Sequence, residues 1–289
     1  MNIQWGLCGL VNFGVAGFFG LGAYVAALTD LWGAGPWIGL AAAAFASATA
    51  SALVALLAAR LEEDYFAIVT LGFGEFVRLV MLNEGWLTGG ALGLPNIPRP
   101  FAELAGSTFY PAIFLAFATI VLALVLLTLE ALARSPFGRA LRAVRDDDVA
   151  AATLGKRPLI LRLKAFTIGG AVIGIAGALH AFYMTYIDPS QFSPIITAYA
   201  FMAVVAGGRG SNLGLVLGAG SIMALLEATR FLKDAVPLLD GTRLAALRLA
   251  LIGIGIILLM ILRPQGMFRE PQLNTRHLLP SSEGGRHDG

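Results

Sequence analysis

The chain has 289 residues, 57% of them hydrophobic and only 13% charged, with a formal net charge of +2. Ordinary globular domains carry roughly a quarter charged residues, so this composition excludes a soluble protein, and the near-neutral sum says little about partners. A lone cysteine, Cys8, excludes an intrachain disulfide framework and a cysteine-based zinc site, and reads as a small packing residue.

Apolar runs long enough to cross about 30 Å of hydrocarbon recur along the chain. They predict spans over 5–28, 36–59, 65–83, 110–133, 163–187, 195–228 and 244–262. The fold class is therefore all-α: a polytopic transmembrane bundle of about seven or eight segments, one of them broken or re-entrant. The opening "MNIQWGLCGL" has no basic n-region and its apolar run continues, so it is not a cleavable signal peptide. The connection 84–109 holds one arginine and reads as external, with "LTGG" and "GLP" as turns or part of a docking face. So does "DPSQFSP" (188–194), which has no basic residue. The 195–228 run is interrupted by "GGRGSNLG" (Gly207 to Gly214) and reads as two short helices, which either cross twice or re-enter. The connection 229–243 mixes Arg230, Lys233 and Arg243 with Asp234 and Asp240, and fits the positive-inside rule less well. The tail carries Arg263, Arg269, Arg276 and Arg286 and reads as cytoplasmic, with 271–289 polar, Gly/Ser-rich and disordered.

Polar residues inside apolar runs need partners there. Glu75 and Arg78 stand three apart in "LGFGEFVRLV" and read as an ion pair on one helix face, with gating as the sharper alternative. Glu227 and Arg230 repeat the spacing. His180 reads as an interfacial side chain. With His277 and His287 both in the tail, no metal cluster is expected. A Gly-x-x-x-x-Gly-Lys-Ser/Thr sequence is absent, so no P-loop nucleotide site is expected on this chain.

The basic residues concentrate in 134–162, "RSPFGRALRAVRDDDVAAATLGKRPLILR", which the positive-inside rule places in the cytoplasm. Ser135-Pro136 and Gly155 read as helix start and stop, and Ala150, Ala151 and Ala152 favour helix. Phe137 to Leu154 therefore reads as a helix. Arg139, Arg142 and Arg145 line one side, while Leu141, Val144, Val149 and Ala152 offer apolar contact elsewhere. The Asp146-Asp147-Asp148 cluster interrupts the basic side and caps a second helical piece. A displayed helix of this kind suits a groove on a cytoplasmic partner.

"VAAATLG" (Val149 to Gly155) resembles the Glu-Ala-Ala-x-x-x-Gly loop of ABC importer permeases. "FGRALRAVRDDDVAAATLG" is similar to the cytoplasmic loop of LivM-type permeases for branched-chain amino acids. "NIQWGLCGLVNFGVAGFFGLGAYVAAL", "DYFAIVTLGFGEFVRLV", "LTGGALGLP", "YIDPSQFSP" and "VVAGGRGSNLGLVLGA" match the same family's pattern in order, so the likeness runs to about residue 270. Two departures stand out. Family members carry a further helix upstream of "NIQWG", so the start at Met1 reads as truncated or misassigned. Val149 also stands where the general loop has Glu, with Asp148 just before it.

The resemblance implies a permease domain over 1–270, in the inner or plasma membrane of a prokaryote. Its implied partners are a second related permease, two cytoplasmic ABC ATPase subunits, an extracytoplasmic amino-acid-binding protein and the lipid bilayer, with no nucleic acid. This chain would bind no cofactor, ATP and Mg residing on the ATPases. Arg139, Arg142, Arg145, Asp148, Ala150, Ala151 and Gly155 would couple to the ATPase. Asn12, Phe13, Thr70, Glu75, Gly207, Gly208 and Gly210 are candidates for the substrate pathway, because polar or flexible groups at membrane depth are scarce. Competing readings are a urea or short-chain amide importer and a stand-alone secondary transporter. A membrane enzyme would need a convergent His, Asp or Glu set that the sequence does not display.

Overall fold

The structure, a computed structural model, describes residues 1–58, 61, 63–101, 108–208, 210–235 and 253–254. The chain opens with a π-helical turn, Asn2–Leu7. Ten α-helices follow among the described residues: α1 Val15–Leu31, α2 Pro36–Ala58, α3 Glu63–Asn83, α4 Gly85–Thr88, α5 Tyr110–Arg134, α6 Pro136–Asp146, α7 Asp148–Thr153, α8 Pro158–Met184, α9 Ile195–Gly207 and α10 Asn212–Ala235. Pro36, Pro136 and Pro158 each open a helix, where the missing N–H would have no intrahelical acceptor. Among the described residues, four helices are long and apolar enough to cross a membrane (α2, α3, α5 and α8), and three shorter apolar helices accompany them.

Small residues set the packing. A Cβ on Gly22 of α1 would stand 2.5 Å from the Gly174 Cα of α8, and one on Gly17 would stand 2.5 Å from the Gly74 Cα of α3. Such approaches let helices gain dispersion contact in lipid, where apolar surface alone gives no drive to associate. Ser47 and Ser51 of α2 donate to the carbonyls of Phe18 (3.1 Å) and Phe166 (2.6 Å), tying α2 to α1 and α8. One apolar cluster gathers Phe18, Phe66 and Phe166 with Ile3, Leu7 and Leu141; a second gathers Tyr24, Phe182, Ile187 and Phe192. In contrast, α5 buries only Tyr110, Phe114 and Ala133 and leaves Leu115, Ile120, Leu124 and Leu127 exposed, a face suited to lipid or another subunit.

One expectation about elements is corrected. The run 5–28 is not one helix: it divides into the π-turn and α1, joined by residues 8–14. Asn12 is responsible, because its carboxamide oxygen accepts from Gly14 N (2.9 Å) while its nitrogen donates to Gln4 Oε1 (3.0 Å). An amide pair buried this way holds the backbone out of the helical ladder. Residues 137–154 form two helical pieces, divided at the Asp cluster that was expected to cap the second. Asp147 is extended (φ −160°, ψ 109°) and its carboxylate accepts from Ala150 N (2.9 Å), which ends α6 and caps α7.

The interrupted run 195–228 does form two helices. α10 doubles back along α9: a Cβ on Gly218 would stand 2.6 Å from Gly207 N. At 1.5 Å per residue the 13 residues of α9 reach about 20 Å, short of the hydrocarbon thickness. The span expected at 244–262 and the tail at 271–289 lie outside the described residues, apart from a helical pair at 253–254.

Candidate functional site

Helices α6 and α7 hang from the end of α5 and are bound to the bundle along one side. Ser135 caps α6, its hydroxyl oxygen accepting from Gly138 N at 3.4 Å. Leu141 and Val144 are fully buried, and Leu141 belongs to the same apolar cluster as the π-turn. The three arginines then part company. Arg139 is exposed and donates only locally, to Arg134 O at 3.3 Å. Arg142 reaches back to Ala133 O at 3.0 Å. Arg145 donates to Asp146 (3.0 Å) and, across 139 residues of sequence, to the Gly6 carbonyl of the π-turn (2.5 Å). Asp148 pairs with Arg162 of α8 at 3.2 Å. Arg142, Arg145 and Asp148 thus strap the element to the bundle.

The outward side of α7 is apolar. Ala151 is buried, but Val149 and Leu154 are 71% and 79% exposed. Ala150 and Ala152 are exposed as well. Gly155 has φ +76° and nothing within 4 Å of where its Cβ would stand, so backbone conformation alone requires glycine there.

At the same end of the bundle lies a polar network that joins the π-turn to the break between α9 and α10. Asn2 Oδ1 accepts from Gly210 N (3.0 Å) and Asn2 Nδ2 donates to Asn212 Oδ1 (2.9 Å). Asn212 Nδ2 in turn donates to Glu130 of α5 (2.8 Å), whose other oxygen holds Arg134 (2.7 Å). Gly208 (φ +99°) ends α9 with its N–H on Val204 O, and Gly210 also has a positive φ (+83°). Gly207 packs against Gly214 across the turn.

The other pathway candidates are less uniform. Asn12 and Thr70 are fully buried, and Thr70 accepts from Phe13 N (3.0 Å) while donating to Ala67 O (2.8 Å). Thr70 therefore ties α3 to the segment just before α1, while Asn12 bonds Gln4 and Gly14 within that N-terminal stretch. The Phe13 ring is 40% exposed and lies 4.7 Å from that of Phe201. Glu75 and Arg78 form the expected pair, closing to 2.5 Å, and stay 39% and 26% exposed on the outer side of α3. Of the corresponding Glu227–Arg230 pair, Glu227 is exposed and Arg230 falls outside the described side chains.

At the opposite end, the two loops read as external are joined by a two-way backbone bridge. Leu94 N donates to Ile187 O (2.9 Å) and Ile187 N to Leu94 O (3.2 Å). Asp188 caps the 3₁₀ turn Pro189–Phe192. Burial pushes its carboxyl up, but hydrogen bonds from Ser190 and Gln191, side chain and backbone, outweigh that and hold it below the ordinary carboxylate range. Gln191 also meets His180 at 3.1 Å, so the histidine is part of this interfacial knot.

The sequence comparisons supply the family. The description "branched-chain amino acid transport system / permease component" fits residues 1–262. The chain belongs to this permease family. Its similarity to LivM, the high-affinity branched-chain amino acid transport permease of Salmonella typhimurium, is 34% identity over 96% of this chain and 68% of that protein. Escherichia coli LivM gives the same figures. A probable LivM of Methanocaldococcus jannaschii is 29% identical over 92% of this chain and 80% of the relative. No solved structure matches. For this permease, sequence reasoning missed Asn2, Gln4, Glu130 and Asn212. The signal was available, since Asn2, Gln4 and Glu130 are amides or an acid flanked by apolar residues and Asn212 opens an apolar run, but each has a partner from 82 to 210 positions away.

Proposed function

We propose that this chain is the membrane-spanning permease subunit of an ATP-driven importer for branched-chain amino acids. It works with a second related permease, two cytoplasmic ATPase subunits that bind ATP and Mg, and an extracytoplasmic binding protein. The observation that carries the reading is the two-sidedness of α6–α7. One side is anchored by Leu141, Val144, Arg142 and Arg145, while the other presents Val149 and Leu154 beside the exposed Arg139. Large apolar side chains bare at the tip of a charged loop mark a contact surface. A helix pair fixed to the bundle on one side and to an ATPase on the other transmits rigid-body motion, and Gly155 gives it a stop.

The α6–α7 end faces the cytoplasm of a prokaryotic cell, and the Leu94–Ile187 end faces the binding protein. Glu75 and Arg78, exposed on a helix of apolar span length, are unsuited to lipid and support covering of α3 by the second permease along the pathway. The substrate assignment follows the names of the similar permeases and the family description. The test is reconstitution of the complex in proteoliposomes, with leucine and urea as competing substrates. Leucine uptake is expected only with ATP and the ATPase subunits, and Val149→Glu with Leu154→Glu should abolish it by releasing the ATPase. Uptake without an ATPase, preference for urea, or full activity of the double variant would each overturn the corresponding part.

A further inference from the structure

We infer that Arg145 and the π-turn Asn2–Leu7 are positioning elements of transport, forming the connection through which movement of α6 reaches the break between α9 and α10. This rests on the importer reading above and adds the route by which work arrives at the pathway.

The geometry is a contiguous chain. The Arg145 guanidinium on α6 donates to Gly6 O, a charge-assisted bond stronger and more directional than a neutral one. Gly6 lies against the break itself: a Cβ there would stand 2.9 Å from Gly210 N and would collide with Asn2. Asn2 then bonds both sides of the break, accepting from Gly210 N and donating to Asn212. A return strut runs from Asn212 through Glu130 to Arg134, one residue before the cap of α6. The break is consequently held at two points, and both lead to α6.

The π-turn is suited to this place. A π-helical ladder is wider than an α-helical one, and such single turns are frequent at functional sites. Gly208 and Gly210, both at positive φ, sit in the segment that must change conformation, where a small rotation swings α10 relative to α9. A purely architectural function for Arg145 would need no link to the break, since Leu141 and Val144 already bury α6.

The experiment uses the reconstituted complex with cysteine-free partner subunits. Arg145→Leu, Asn2→Ala and the double variant are compared for ATPase assembly, ATP hydrolysis and leucine taken up per ATP. Cys8, buried immediately after the π-turn and the one cysteine of the chain, is followed by thiol labelling with and without ATP. Each single variant should keep assembly and hydrolysis but lose uptake per ATP by about fivefold or more, within the usual range of coupling between sites. The double should fall no further than the worse single, because both interrupt one route. ATP should alter Cys8 labelling in the parent and not in Arg145→Leu. Asn2→Ala lies on the far side of the route from the ATPase surface, so it decides the matter if Arg145→Leu does not assemble. Unchanged uptake per ATP in Asn2→Ala, independent losses in the double, or Cys8 labelling indifferent to ATP in the parent overturns the route. Absence of ATP-driven uptake in the parent overturns the importer reading instead.

Discussion

Gly22→Ala offers a sharp test of how the bundle is held together. The added methyl would stand 2.5 Å from Gly174 Cα and closer still to the Gly174 carbonyl oxygen. Carbon atoms settle at about 3.5–4.0 Å, so α1 and α8 would have to part by about 1–1.5 Å. α8 cannot simply retreat. On its far side a Cβ at Gly174 would already stand 2.5 Å from Ala43 O and 2.6 Å from the Ser47 hydroxyl, and Ser51 bonds Phe166 O at 2.6 Å. The strain therefore falls at the upper end of overpacking, about 3 kcal/mol, which at about 2–4 °C per kcal/mol lowers the melting midpoint by about 6–12 °C. A fluorogenic thiol reagent can follow melting in detergent without ATP, because Cys8 is 1% exposed and its labelling rises steeply when the core opens. Gly72→Ala is the control: nothing lies within 4 Å of its would-be Cβ, and alanine gains about 1 kcal/mol of helix propensity, so its midpoint should stay or rise. A Gly22→Ala midpoint within about 2 °C of the parent would refute backbone contact as the organising feature of this crossing.

Three further outcomes are expected. Leu141→Ala should destabilise by about 2–5 kcal/mol through the cavity it leaves, and α6 should become a site of limited proteolysis while the remainder of the bundle resists. Glu75→Gln leaves Arg78 without its partner in an apolar span, at up to about 3 kcal/mol, so membrane yield should fall; the double change to Gln at both positions should restore it. The lowered Asp188 carboxyl contributes stability that is full above about pH 3.9, its ordinary value, and is lost as pH falls through its depressed folded value. Asp188→Asn should remove that acid-dependent part of the melting curve; an unaltered curve would mean that the turn at Pro189–Phe192 carries no such linkage.

Spans of uniform apolar character were legible because each depends on local composition. α2, α3 and α5 begin and end within a few residues of where hydropathy, Pro36 and Ser135-Pro136 put them. The break at 207–212 was legible for the same reason, since clustered glycines interrupt a ladder whatever surrounds them. The division of 5–28 was not, because its cause is a pairing of Asn12 with Gln4 whose worth exists only once both are buried.

In the basic segment, sequence alone determined that a charged, glycine-stopped amphipathic element interrupts an otherwise apolar chain. It could not decide which of three arginines at equal spacing face the bundle, since spacing assigns a side and not the neighbour on it. Tertiary structure decided that: Arg142 and Arg145 turn inward because the Ala133 and Gly6 carbonyls need donors there, leaving Arg139 and Val149 outside. Polar groups withdrawn from water must find partners, and partners 139 or 210 residues away come within reach only when the helices pack.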